Sequence, residues 1–310
     1  MAKSYDSICC FRGSDKPSAK RLLWEITTIC NLSCSFCHRT KEIDYGPDFQ
    51  RIKDVLPVLK DFGIKEIIIS GGEPLLRKDI FDIIDLMKNE GFDVDMCTNG
   101  TLITYDIAKK LSEYLTEISV SIDSSFPSNH DALRGKTGAF NSAISGIRSL
   151  QKFNVSVHTI SIVKSSSINE IKSTVNFLAE LGILSMAFIG HIPIGTGINE
   201  LFTENNQKLL KNIFNELRNT YSDIAINTKE LIEDSTMKSC MAGENVFGLD
   251  VKMLLKPCIL HSKCGGIDIN GISNDTVNVE NYLRKIKENV LITNCSGQGI
   301  CPGSKFINKV

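Results

Sequence analysis

The chain has 310 residues, 42% hydrophobic and 23% charged, with a formal net charge of −1. That is the composition of an ordinary folded, water-soluble chain, long enough to bury a sizeable core in one large or two medium domains. It has no basic excess to hold a nucleic-acid backbone and no run of about 18 apolar residues to cross a bilayer.

Met1 to Lys20 is a polar tail without the apolar segment of a signal peptide, so the expected location is the cytoplasm. From 21 to 200 the pattern alternates between strand and helix. Strand-like runs fall at Leu22–Thr27, Glu66–Ser70, Phe92–Thr98, Glu117–Ile122, Val155–Val163 and Leu184–Ile189. Amphipathic helical runs intervene at about Phe49–Phe62, Ile80–Glu90, Thr104–Tyr114, Ala139–Phe153 and Ile168–Leu181, their buried faces marked by spacings such as Ile80, Ile83, Ile84 and Met87. Such alternation predicts an α/β fold of parallel strands joined by crossover helices. Residues 201–235 read as a helical connection, with a helix at about Asn205–Tyr221. Beyond it, in 236–310, cysteines and glycines rise, and Val246–Leu249 with Val251–Leu255 reads as a β-hairpin.

The eleven cysteines are unevenly placed, and in a cytoplasmic chain they point to metal or redox chemistry more than to disulfides. Cys30, Cys34 and Cys37 form a tight trio after the first strand. Cys240, Cys258, Cys264, Cys295 and Cys301 crowd the last quarter. Cys97 reads as a buried small hydrophobe, and Cys9 and Cys10 have no partner to assign. Three thiols so close can grip one corner-rich object such as a 4Fe–4S cluster, leaving its fourth iron open to a small molecule. Spacing alone leaves zinc equally open, although zinc usually takes four protein ligands. His38, His158, His191 and His261 include no pair spaced for a metal; His191, at the end of the sixth strand, is the one placed to face a substrate.

The stretch Cys30-x3-Cys34-x2-Cys37, with Phe36 before the last cysteine, resembles the signature of the radical SAM (S-adenosylmethionine) enzymes. Gly71-Gly72-Glu73-Pro74, after the second strand, resembles that family's methionine-amine loop. The resemblance implies a partial (β/α)6 barrel, curved but not closed, with ligands at the carboxyl ends of the strands. It also implies a 4Fe–4S cluster on the trio and SAM chelated to its free iron. Gly71, Gly72, Glu73 and Pro74 would then meet the methionine amine. Asn99 and Ser121 would bind ribose or carboxylate, Arg134 would reach the carboxylate, and Ile192, before Pro193-x-Gly195, would flank the adenine. Each has a plainer reading: Thr98-Asn99-Gly100 is a good turn, Asp123 could cap a loop, and Arg134 could be a solvated charge.

Ser239-Cys240-Met241-Ala242-Gly243, the hairpin, and Lys256-Pro257-Cys258 together resemble the start of SPASM/Twitch extensions, which hold auxiliary iron–sulfur clusters. The match is partial. Met253 stands where the fuller pattern has glycine, and Ile292 and Lys305 stand where it has cysteines flanking Cys295 and Cys301. Five thiols are too few for two fully ligated clusters, so the expectation is one auxiliary 4Fe–4S cluster on Cys240, Cys258, Cys295 and Cys301. Cys264 is then left as an alternative ligand, a spare packing thiol, or a hydrogen-atom donor like that of radical SAM epimerases.

By the same resemblance, an external one-electron donor such as flavodoxin or ferredoxin reduces the cluster, SAM is cleaved to a 5′-deoxyadenosyl radical, and that radical takes hydrogen from substrate. The first expectation for the substrate is a ribosomally made peptide, which would be oxidised, cross-linked or epimerised. The alternative is dehydrogenation or epimerisation of a sugar- or cyclitol-like metabolite, since only about thirty residues precede Cys30, fewer than an N-terminal peptide-docking domain needs. A reading of another class is a non-catalytic iron–sulfur or zinc scaffold.

Overall fold

A computed structural model describes residues 20–37, 42–191, 202–228, 231, 245–256 and 266–269. Six β/α units follow in chain order. Their strands are β1 (Lys20–Glu25), β2 (Ile64–Ser70), β3 (Asp93–Thr98), β4 (Glu117–Ser121), β5 (Ser156–Val163) and β6 (Ser185–Gly190). Between them run α1 (Phe49–Asp61), α2 (Ile80–Asn89), α3 (Tyr105–Tyr114), α4 (Pro127–Arg134), α5 (Ala139–Lys152) and α6 (Ile171–Glu180). The expected elements are present within a residue or two at most ends, and the exceptions have physical causes. The run expected as one helix from Ile168 opens instead with a 3-10 turn, Ser165–Glu170, before α6. Helix α4 was not anticipated, because its only buried side chains, His130 and Arg134, give no apolar stripe to read.

The remaining elements widen the sheet at both edges. Helix α7 (Glu204–Thr220) starts with a reciprocal cap between Thr203 and Asn206 and leads to β7 (Ala225–Asn227), so the connection after the sixth unit carries a strand as well as a helix. Strands β8 (Val246–Leu249) and β9 (Leu254–Lys256) form the expected antiparallel hairpin, its second strand starting three residues after Val251 because Asp250 to Met253 make the turn, and β10 (Ile267–Asp268) pairs with β9. The sheet order is β10-β9-β8-β1-β2-β3-β4-β5-β6-β7. Every pairing from β8 to β7 is parallel, and β8 lies directly against β1, Trp24 opposite Leu249. The hairpin therefore continues the sheet.

The two faces of the sheet differ. One carries Leu22, Trp24, Ile67, Ile69, Met96, Ile118 and Val120, which pack on helix residues such as Ile52, Leu56, Ile83, Met87, Leu111 and Ile147 to form the core. The alternate positions carry Arg21 and Glu25, Glu66 and Ser70, Asp95 and Cys97, and Glu117, Ser119 and Ser121, with Leu23 and Ile68 among them, by the period-two rule of a strand. Both faces of a parallel sheet are ordinarily covered and apolar. A polar second face marks the inside of the open barrel as a place for ligands rather than for core.

At the amino ends of the strands that face is a charge network. Arg21 donates two 2.6 Å hydrogen bonds to Glu66, and Glu117 lies 2.8 Å from His158 Nε2. Burial, with the Glu117 and Glu66 charges added, pushes the Asp95 carboxyl up to about 7, against the pull of Arg21. An acid whose folded pKa is raised holds its proton more tightly folded than unfolded, so it lowers stability as pH climbs from about 4 to about 7. Asp95→Asn is expected to melt at nearly the wild-type temperature near pH 4. It should be about 2 kcal/mol more stable at pH 8, roughly half the worth of the full shift. Thermal denaturation across that range checks this, and a pH-independent gap would refute it.

Candidate active site

The three early cysteines sit on the loop that leaves β1. The chain after β1 goes on pairing with the chain after β2: Ile26 N–H donates to Ser70 O (3.0 Å), Gly72 N–H to Thr27 O (2.6 Å) and Glu73 N–H to Ile29 O (2.7 Å). This approach leaves no room for a side chain. A Cβ on Gly72 would lie 1.9 Å from Ile29 O, and one on Gly71, whose φ is +119°, 2.4 Å from Thr27 O. On its other side the loop is held by α4: Ser33 N–H donates to Arg134 O (3.1 Å) and Ser35 N–H to Leu133 O (3.0 Å). Gly135 caps α4 at φ +67°, with its Cα so close that a Cβ would stand 2.2 Å from Ser33 O. Between these two clamps Cys30, Cys34 and Cys37 are half-buried thiols outside any disulfide.

The ends of β2 and β3 are tied to the same loop. Glu73 is fully buried. Its carboxylate accepts from Thr98 Oγ1 (2.7 Å), Asn99 N–H (2.8 Å) and Leu75 N–H (3.2 Å). Burial pushes the Glu73 carboxyl up from its usual range, and these donors oppose that shift. Among the described residues it has no cationic partner. Asn99 Nδ2 donates to Asn31 Oδ1 (2.9 Å) and lies 3.9 Å from Cys30 Sγ, and its Oδ1 accepts from Thr101. Asn99 is thus more than a turn residue: it joins the β3 loop to the first cysteine.

The end of β4 supplies a buried ion pair. Asp123 receives two hydrogen bonds from Arg134, at 2.6 and 2.8 Å, and a third from Ile162 N–H at 2.9 Å. His130 Nδ1 accepts from Asp123 N–H, and burial lowers the His130 pKa, keeping the ring neutral. The Arg134 guanidinium lies 5.0 Å from the centre of the Phe36 ring, inside the cysteine loop. Burial pushes the Cys34 thiol up, while the charge of Arg134 draws it down. Arg134 is therefore not a solvated charge; its pair with Asp123 and its backbone together carry α4 to the cysteines.

Ser121, the last residue of β4, is half-buried on the polar face. Pro74 is buried at the start of a 3-10 turn, Pro74–Leu76, that closes the Gly-Gly turn. His191 is buried at the end of β6, its N–H bonded to Val163 O. Cys97 is half-buried on the polar face, flanked by buried Met96 and Thr98. This corrects its reading as a core residue, because the strand's alternation turns it to the other side. Ile192, Cys240, Cys258, Cys264, Cys295 and Cys301 lie outside the described residues. Two contributors went unread in the sequence: α4 with Gly135, and Lys164 after β5, whose Nζ is 3.4 Å from Ser35 Oγ. An Arg-Gly pair after a proline-initiated stretch was the available signal for the first; the second had none.

Among the described residues no three His, Cys, Asp or Glu side chains are gathered to hold a single metal ion. The trio thus lacks the tight one-ion arrangement of a zinc site. Three thiols outside any disulfide on one fixed loop, beside a glycine turn stripped of side chains, do suit three corners of an iron–sulfur cube with a small molecule at the fourth.

The model of the radical SAM superfamily matches residues 24–178, half of the chain. An AdoMet-dependent heme synthase from Methanosarcina barkeri is 34% identical over 185 residues, 58% of this chain and 53% of that protein. The chain thus spans about half the length of that curated relative. A probable GTP 3′,8-cyclase from Sulfurisphaera tokodaii is 28% identical over 282 residues, 85% of this chain and 88% of that one. The fold is also that of Streptococcus suis SuiB bound to its precursor peptide SuiA, with a TM-score of 0.74 and 18% identity, covering 93% of this chain and 70% of that one.

Because the Gly72 position is bounded by backbone, Gly72→Ala must displace the cysteine loop or the turn. It is expected to lower stability by about 1–3 kcal/mol and to reduce iron taken up in anaerobic reconstitution. Denaturant unfolding and iron analysis check this; a variant equal to wild type in both would show that the clamp is loose.

Proposed function

The chain belongs to the radical SAM superfamily, and from that premise we propose that it reductively cleaves SAM and uses the resulting radical to take hydrogen from a substrate. The observation that carries the reading is the loop of three thiols, none in a disulfide, fixed against the Gly71-Gly72 turn. The cluster, when bound and reduced by an outside donor such as flavodoxin or ferredoxin, supplies the electron that splits SAM into methionine and a 5′-deoxyadenosyl radical. The rest falls to the chain's own residues. Cys30, Cys34 and Cys37 would hold three irons. The bare backbone of Gly71 and Gly72 would admit the methionine amine, with Glu73 as a buried negative charge behind it. Asn99 and Ser121 would orient ribose or carboxylate. Arg134 gives two of its five N–H donors to Asp123 and also bonds Cys34, and its remaining donors could reach a carboxylate. Ile192 would flank the adenine.

We further propose a SPASM/Twitch-like end, with one auxiliary 4Fe–4S cluster on Cys240, Cys258, Cys295 and Cys301. Cys264 would be a spare thiol able to give a hydrogen atom to a substrate radical. The hairpin supports this reading, since β8 and β9 bring its flanks side by side, Gly248 opposite Lys256. A ribosomally made peptide is the first substrate proposed, supported by the shared fold with peptide-bound SuiB across 93% of this chain. A small metabolite is the second, and the near full-length match to a probable GTP cyclase favours it.

Anaerobically reconstituted protein mixed with dithionite and SAM is expected to release 5′-deoxyadenosine, and Cys34→Ala to fall to background. Iron near eight per chain would support two cubane clusters, and near four only one. Absence of 5′-deoxyadenosine from iron-loaded wild type would leave the scaffold reading. A mass change in a co-expressed candidate peptide supports the first substrate; turnover of GTP in place of it would overturn that choice.

A further inference from the structure

Two buried cations flank the cysteine loop, and among the described residues only one has a carboxylate partner. Arg134 is paired with Asp123 through two hydrogen bonds. Lys164, at the carboxyl end of β5, is 8% exposed, and its ammonium lies 3.4 Å from Ser35 Oγ. Among the described residues no carboxylate forms an ion pair with it. Ser35 lies between Cys34 and Cys37, so the unbalanced charge is aimed at the segment that carries two of the three thiols. A buried ammonium without a counter-charge is costly, and one held in place implies that a negative group belongs opposite it.

We propose that Lys164 is the electrostatic counter-charge of the cluster held by Cys30, Cys34 and Cys37, and that it raises the cluster's reduction potential. A 4Fe–4S core of charge +2 on three thiolates has a net charge of −1, and adding one electron makes it −2. A fixed cation nearby stabilises the second state more than the first, because attraction grows with charge and is little screened in a buried site. Net charge and hydrogen bonding around the sulfurs are known levers on such potentials. Ser35 would act as the spacer that keeps the ammonium at the loop, and the route through β5 gives the cation a rigid base. Arg134 also acts on Cys34, but it shares its charge with Asp123 through two hydrogen bonds. The inference rests on the trio being a cluster site.

The test is a redox titration of the reconstituted protein followed by electron paramagnetic resonance, with iron analysis of each variant. Lys164→Met is expected to keep its iron and to lower the reduced-to-oxidised ratio at a given potential about tenfold, a shift of about 59 mV for a one-electron couple. Lys164→Arg should restore the wild-type ratio, and Ser35→Ala, which keeps the charge, should stay between the two. Equal potentials in wild type and Lys164→Met would overturn the proposal, as would weakened SAM binding with an unmoved potential, which would assign Lys164 to the ligand's carboxylate. Should Lys164→Met lose its iron, Lys164→Arg decides: a wild-type potential supports the proposal, and a shifted one overturns it. Wild-type protein that takes up no iron would instead refute the cluster reading itself.

Discussion

The approach of two backbones, Thr27 to Ile29 against Gly71 to Glu73, is the constraint on which the rest of the site depends. Parallel strands usually part company where their loops begin, but here three hydrogen bonds carry the β1–β2 pairing beyond the sheet. That extension converts a flexible cysteine loop into an added ribbon. Its cost is steric: two residues must have no Cβ, because a methyl group there would overlap carbonyl oxygens. The same absence of side chains leaves bare backbone beside the thiols, so one geometric demand serves both folding and ligand access.

Polar groups inside the barrel answer the buried carboxylates near the thiols locally. Glu73 is answered by donors from β3 and its own turn, and Asp123 by Arg134. Each answer also ties a neighbouring strand end to the cysteine loop, Asn99 through Asn31 and Arg134 through its backbone carbonyl to Ser33. Polar satisfaction and mechanical fixation are therefore one network. The amino ends of the strands are different. There the carboxylates of Glu66, Asp95 and Glu117 outnumber Arg21, and burial, with that repulsion added, raises the Asp95 carboxyl.

What was legible in the sequence follows from separation along the chain. The trio and the Gly-Gly turn are short patterns whose chemistry is local, and the six strand–helix units announce themselves by apolar periodicity. The clamp by α4 was not legible, because Ser33 and Arg134 are about a hundred residues apart and α4 buries polar side chains. The Lys164–Ser35 contact spans 129 positions and joins two residue types common on surfaces. Pairing of the hairpin with β1 was equally hidden: Val246–Leu249 read as a strand, but nothing in its composition names a partner more than two hundred residues upstream.

Met253 shows how a departure from a resembled pattern can leave the structure intact. The residue has φ +66°, the left-handed region that glycine enters freely and a methionine enters at a cost of about 1 kcal/mol or more. The turn over-determines it. Asp250 Oδ1 accepts from both Lys252 N–H and Leu254 N–H, and Met253 N–H donates to Asp250 O. The methionine side chain is fully buried in the core, which offsets the strain by more than glycine could, since burying such a side chain is worth about 1.5–3 kcal/mol. The glycine of the pattern marks a conformation, and this chain keeps the conformation while exchanging freedom for packing.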